Sequence, residues 1–402
     1  MSASRHRTSL SRGCGVAAAG LMCLLSLAGA DGPPAALARP KAEFIDAPQL
    51  KGVRVMNLKY ADLCGSVLYV CGEDGLTYFR RDPQTGKLTC LGGSGVRKTT
   101  GYAIKFAGGR LYAVTPHAGN RRMDWHGLAW YEIDDQTGKP TRKGLIDCLP
   151  CEQMVVGPDE KDLYLKTVGG ADGKLLWYRL AADGTPGKAG EVAGRGIGKT
   201  GHGECVDSLR LSPDGKHFYC ISADDHAIAC IDRKPNGEIV YQGAIDLTPV
   251  ARRDPGNYHY QWATLGISSD GKWVYATLWN GKPDENVYGI FKRDADTGAL
   301  SFRESISGGK DKLANLRAWN LVFAPGGTGV FLGSWTGPLL TARYDAGTGH
   351  LSDPAVVKGT EGYGASTLLL DAGNGFLYGG GPIDMFINID SLFVLKVDKK
   401  QE

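Results

Sequence analysis

Several things are missing from this 402-residue chain, and each absence closes a class of answers. No run of Lys or Arg is long enough to serve as a nucleic-acid arm, and a formal net charge of +3 offers little field for gripping a polyanion. Nucleic acid is therefore not expected as a partner. No stretch after Leu27 is apolar for long enough to cross a bilayer, so no stable membrane insertion is expected once the N-terminus is removed. Helical periodicity is absent, which leaves strands and turns to build the core. No H-x-H or H-x-x-x-H spacing occurs, and Cys148-x-x-Cys151 has no second pair. No metal site is assigned and no cofactor is expected.

What is present begins at the N-terminus. Arg5, Arg7 and Arg12 precede an apolar run from Val16 to Leu27, followed by Ala28-Gly29-Ala30. A basic region, a short hydrophobic region and small residues read as a secretory signal over residues 1–38. Cleavage is expected near 30 or, after Ala36-Leu37-Ala38, near 38, giving a secreted or periplasmic product. Cys14 and Cys23 fall inside the signal. The other eight cysteines could pair in an oxidising compartment or remain buried thiols. Fifty-eight glycines without a Gly-X-Y period point to many tight turns.

A repeat then decides the fold. A short β-rich run built around an aromatic recurs seven times, marked by Tyr69, Tyr112, Tyr164, Tyr219, Tyr275, Phe331 and Tyr378. The steps between them are 43, 52, 55, 56, 56 and 47 residues, enough for four short strands and their links. Before the run stands a turn such as SPDG (212–215) or SSDG (268–271); after it comes a third strand such as LLWYRLA (175–181). That strand ends in a turn of the kind DPQTGKL (82–88) or DADTGAL (294–300), and a fourth strand follows. Four strands in each of seven units predict an all-β, seven-bladed β-propeller over residues 42–398. The last unit runs out after SLFVLKVD (391–398), while AEFIDAPQL (42–50) is a strand belonging to no unit. Pairing the two would close the ring and remove an exposed edge. The seven aromatics are expected to pack between neighbouring blades.

The SPDG-type turns, LY-rich second strands and D-x-x-TG-x-L turns together resemble the seven-bladed lactonase family, which includes a 6-phosphogluconolactonase and the carboxy-cis,cis-muconate cyclases. The resemblance covers residues 42–398 and implies the propeller fold and an activity on lactones. Members typically carry a Gly-Pro-Arg-His segment before one blade and a Glu at the end of the next second strand. Here the comparable segments read NYHYQW (257–262) and VYATLWN (274–280), with Trp279 and Asn280 near the position of the acid. The family's acid/base pair is therefore not transferred to these positions.

The two ends of the predicted ring differ. Links between strands one and two, and three and four, are short turns; links at the opposite end are long, as at 117–127, 196–205, 247–262 and 308–318. Long loops cost ordering entropy without serving packing, so their end is the expected functional face. Most histidines gather there, with Arg121, Arg122, Arg252, Arg253 and Arg317. Loop arginines and single histidines are more often solvated or paired than functional. His202 and Glu204 stand apart because they lie just before an innermost strand, at the channel mouth. They are the candidate proton carrier and its partner, with His259 as a further catalytic candidate. Arg252, Arg317, Trp319, Tyr258 and His117 are the candidate substrate-binding residues, the arginines as clamps for a carboxylate.

The expected ligand is a small carboxylated or sugar-derived molecule, and the chain is expected to act as a monomer. Three functions compete. One is hydrolysis of a lactone, or the reverse-sense cyclisation. Another is lyase action on acidic polysaccharide, which would leave an ultraviolet-absorbing unsaturated product. The third is a non-catalytic binding or scaffold propeller.

Overall fold

The computed structural model describes residues 39–46, 60–72, 75–93, 103–116, 126–167, 173–198, 208–250, 262–279, 287–307, 318–327, 329–334, 337–361, 363–382 and 390–398. The chain divides into Met1–Ala36, outside the described residues, and Leu37–Glu402, which is the propeller. Seven antiparallel sheets of four strands follow one another, and six of them use four consecutive strands. The seventh comprises Thr367–Asp371, Phe376–Pro382, Asp390–Val397 and, on its outer edge, Ala42–Asp46. Among the described residues no helix is long and apolar enough to cross a membrane.

The first strands form the inner wall. They are Tyr60–Cys64, Ala103–Ala107, Cys151–Val156, Leu209–Leu211, Trp262–Ile267, Ala318–Phe323 and Thr367–Asp371, one for each blade in order. Each touches the next, and the last touches the first, closing a ring of seven. Second strands such as Asp162–Thr167 and His217–Ser222 are buried along their whole length, because a blade lies against each of their faces.

The outer strand supplies the twist. In every blade the third and fourth strands pair with one bulge, placed just after the residue opposite the repeat aromatic: Tyr78/Phe79, Trp130/Tyr131, Trp177/Tyr178, Cys230/Ile231, Ile290/Phe291 and Thr341/Arg343 in blades one to six. A bulge adds local right-handed twist, which turns the outer edge relative to the inner one. Blade seven shows it too: Val394, opposite Tyr378, pairs with Asp46, while the neighbouring Leu395 pairs with Phe44. The N-terminal strand thus reproduces a fourth strand down to its irregularity.

The repeat aromatics lie between blades as expected, and five also latch them. Tyr69, Tyr112, Tyr164, Tyr219 and Tyr275 each donate a hydroxyl proton to the glycine carbonyl in the three-to-four turn of the following blade. Those carbonyls belong to Gly138, Gly184, Gly237, Gly298 and Gly349, at 2.6–2.8 Å. Each of these glycines has positive φ, which its side-chain-free backbone allows. Burial pushes the phenol pKa up in all five, to about 12 for Tyr112 and Tyr164, so the donor proton stays on. Blades six and seven lack the latch: the buried Tyr378 hydroxyl finds no hydrogen-bond partner among the described residues, and blade six has a structural reason. The blade after it is closed by the N-terminal strand and has no three-to-four turn, and the aromatic there is Phe331, which has no hydroxyl to place.

A second seam reinforces the short-loop end. Arg233 donates Nε to the Tyr164 hydroxyl (2.9 Å) and pairs with Asp159 of blade three's first turn (3.3 Å). Arg293 repeats this one blade on, with Tyr219 (3.0 Å) and Asp214 (2.7 Å). Arg81 pairs likewise with Asp371 across the junction of blades one and seven. Burial pushes the Asp214 carboxyl up, but hydrogen bonds from Ser212 and Arg293 outweigh it and bring the pKa to about 2.

Candidate functional site

The site expected at the long-loop end lies on loops that are largely outside the described residues. His117, His202, Glu204, Arg252, Tyr258, His259 and Arg317 all fall there. Trp319 has its backbone in the inner strand of blade six, as the extra residue of a bulge between Ala318 and Asn320. In chain order these candidates, His117 and Trp319 apart, precede the inner strands of blades four, five and six. The crown of long loops is also uneven. Blade one turns from Gly72 to Gly75, and blade four from Ser222 to Ala227, within a few residues. His226 is buried in the latter turn at positive φ, and its carbonyl accepts from Leu247 N (2.9 Å). Asp225 is engaged with the chain itself, accepting from Gly196 N at 2.8 Å.

The wall beneath the loops is well described, and the register of each blade sorts it into layers. At the level of the repeat aromatic, the seven inner strands present Asp62, Lys105, Val155, Arg210, Gly266, Val322 and Leu369. Two residues nearer the long-loop end, blades three to seven present Gln153, Thr264, Asn320, Thr367 and, by the hydrogen bond of its carbonyl to Ile221 N, Ser208. All five of these are polar and all are buried, between 0 and 7% exposed. An apolar wall would have been the cheaper choice, because a buried polar group must find partners. The residues therefore mark a polar belt at the mouthward half of the wall.

Part of this polarity has a local cause. The inner strand is a sheet edge, and its outward N–H and C=O groups have no further strand to pair with. Side chains of the preceding blade serve them: Asp62 accepts from Phe106 N (2.8 Å), Gln153 from Leu209 N (2.5 Å), and Arg210 donates to Leu265 O (3.1 Å). Lys105 lies 3.9 Å from Asp62 on the adjoining blade. Thr264 shares a hydrogen bond with Thr277 of its own blade. Behind Gln153 lies Lys166, fully buried, where the other blades place Cys71, Val114, Ile221, Thr277, Gly333 or Gly380. An ammonium with no exposure has to be held by hydrogen bonds or a counter-charge. A Cβ on Gly198, in the link between blades three and four, would approach its Nζ to 3.3 Å.

Chemically, the belt is a buried layer of neutral donors and acceptors, and the layer below it contains guanidinium, ammonium and carboxylate. Reading the loops alone misses Gln153, Ser208, Arg210, Thr264, Asn320 and Thr367. A signal for them exists: the seven first strands, aligned on the aromatics that follow them, show the polar positions stacking in register.

No protein-family profile matches the chain, and no curated protein matches it. Its architecture is shared with solved structures at low identity. A 6-phosphogluconolactonase candidate from Bacteroides fragilis aligns at a TM-score of 0.56 and 14% identity, over 83% of this chain and 89% of that one. Kuenenia stuttgartiensis hydrazine synthase aligns at 0.56 and 16%, over 86% and 98%. The β-propeller domain of Cps50 (Swd1) from Myceliophteria thermophila aligns at 0.54 and 12%, over 89% and 100%. Such likeness is one of fold.

Proposed function

We propose that the chain is an exported, lactonase-like propeller that binds a small carboxylated or sugar-lactone substrate at the long-loop mouth of its channel and hydrolyses or cyclises it. The observation that carries the reading is the buried polar belt of Gln153, Ser208, Thr264, Asn320 and Thr367, which lies at the end where the long loops depart. Polarity at that end of the wall suits the approach of a polyhydroxylated ring to the mouth. In this reading His202 takes a proton from the water that adds to the lactone carbonyl, and Glu204 holds the imidazole. The ring C–O bond then breaks, and the leaving oxygen takes a proton back. His259 is a second proton carrier, Arg252 and Arg317 meet the carboxylate, and Trp319, Tyr258 and His117 line the mouth.

The test is proton release from D-glucono-1,5-lactone, followed by pH-stat. His202→Ala is expected to lower the enzymatic rate ~10²–10⁴-fold. His350→Ala is expected to leave it unchanged, because that side chain is on the short-loop end against Glu304 at 2.9 Å. Equal rates in both variants remove the mouth from the reaction. A second reading, a non-catalytic binding propeller, is favoured by the departure of NYHYQW (257–262) from the lactonase pattern. Saturable binding without turnover would select it.

A further inference from the structure

The seven junctions between blades are not alike. Five carry a tyrosine latch, and both junctions of blade seven lack one. Toward blade six the packing is apolar: Phe331, Leu339 and Val357 share a cluster with Leu368, Leu377 and Phe393. Toward blade one, Leu68, Val70 and Phe79 share a cluster with Phe376, Leu392 and Val394. This second junction nevertheless has the parts of a latch. The Phe376 phenyl packs on Gly86, where a Cβ would come within 2.6 Å of it, as His217 packs on Gly298 and Trp273 on Gly349. Gly86 shares the positive φ of those glycines. Arg81 ends the third strand of blade one as Arg233 and Arg293 end those of blades four and five. In the latter two the arginine Nε donates to the tyrosine hydroxyl, at 2.9 and 3.0 Å. At the junction of blades seven and one, the Tyr378 hydroxyl and Arg81 Nε are both buried, and neither has a hydrogen-bond partner among the described residues. A buried hydroxyl without a partner weakens the closed junction, because water would satisfy it in any opened state.

We propose that blade seven is the opening segment of the ring, parting from blades six and one as a unit while the five latched junctions stay shut. Native proteins open first where local stability is lowest, in contiguous units of this size. The Arg81–Asp371 pair, the Arg39–Asp353 pair at the rim and the two apolar faces remain to hold the segment closed. Apolar contact is non-directional, so faces that part can re-form without a fixed approach. The first strand of the segment, Thr367–Asp371, touches the inner strands of both neighbouring blades. Its displacement therefore breaches the channel wall from the side, away from either end of the channel. The proposal holds whichever ligand the channel takes.

Amide hydrogen exchange of the whole chain, read by mass spectrometry and corrected for intrinsic rates, tests it. Residues 376–381, Asp162–Thr167 and His217–Ser222 all lie on second strands and are all buried, so a difference among them reports opening rather than exposure. Exchange in 376–381 is expected to be faster than in the other two by at least about fivefold, and a smaller difference overturns the proposal. Two variants check the cause. Tyr378→Phe removes a hydroxyl that bonds to nothing and should leave exchange in 376–381 unchanged to within about twofold. Tyr112→Phe removes the latch to Gly184 and should speed exchange in Arg110–Pro116 by about fivefold or more. Circular dichroism reports whether each variant is folded. Equal effects of the two substitutions would show that the seventh junction is latched like the others, or that the latches do not govern opening, and either overturns the proposal. Should Tyr112→Phe not fold, the wild-type comparison decides alone.

Discussion

His217 lies buried at the short-loop end, with Nδ1 2.6 Å from the Arg293 guanidinium and Nε2 3.8 Å from Asp232. Since arginine only donates, Nδ1 accepts and the ring proton is on Nε2. Burial first, and the Arg293 charge second, hold its pKa below the ordinary 6.5. The folded ring therefore binds this proton less readily than the unfolded chain. The stabilisation is complete above about pH 6.5 and is lost as the pH falls toward the folded value. Melting temperatures from pH 8 to pH 5 should drop further for the wild type than for His217→Gln, and equal drops would show that another group carries the slope. Sequence position alone groups His217 with His350; burial separates a ring-holding imidazole from a surface one. The latches make a second prediction at this scale. Tyr275→Phe leaves the Gly349 carbonyl without its donor and should cost about 1–3 kcal/mol in denaturant unfolding. A cost near zero would mean that water replaces the hydroxyl.

At the scale of elements, Ala42–Asp46 is the piece to test. It pairs with Asp390–Val397, shifts register at Phe44/Asp46, and leaves Pro40 against Gly329, where a Cβ would come within 2.1 Å of the proline ring. Deleting residues 42–50 should uncover the edge of blade seven, producing aggregation or a large loss of thermal stability. A truncated chain that stays monomeric and melts like the full one would refute the closure. Much of this element grammar is legible in the sequence because its causes are local. In the D-x-x-TG turns Asp82, Asp134 and Asp294 accept from the backbone N–H groups two and three residues on, and Gly86, Gly138 and Gly298 take positive φ. The bulges and the polar belt are not local. Thr264 or Asn320 looks like any strand residue until seven units are set in register. The sequence points to loop histidines and arginines for the chemistry, while the described wall shows its polarity in Gln153, Arg210 and Asn320.

For the whole molecule, the ring of inner strands and the two seams distribute stability around a circle, each blade bracing the next. The Tyr latches run from blade one to blade six, and the Arg81–Asp371 pair joins blade one to blade seven. The closing strand gives this circle a direction in time. On a chain made from its N-terminus, Ala42–Asp46 is among the first described segments to appear, yet its pairing partner, Asp390–Val397, is the last. Blades one to six have all their strands in hand as they emerge; blade seven must wait for a segment kept unpaired through nearly the entire synthesis. Among the described strand pairs that contact has the longest sequence separation and bears the largest loop-closure entropy. Ring closure is thus a late event, and a chain halted before Val394 keeps one strand unplaced and one blade unfinished.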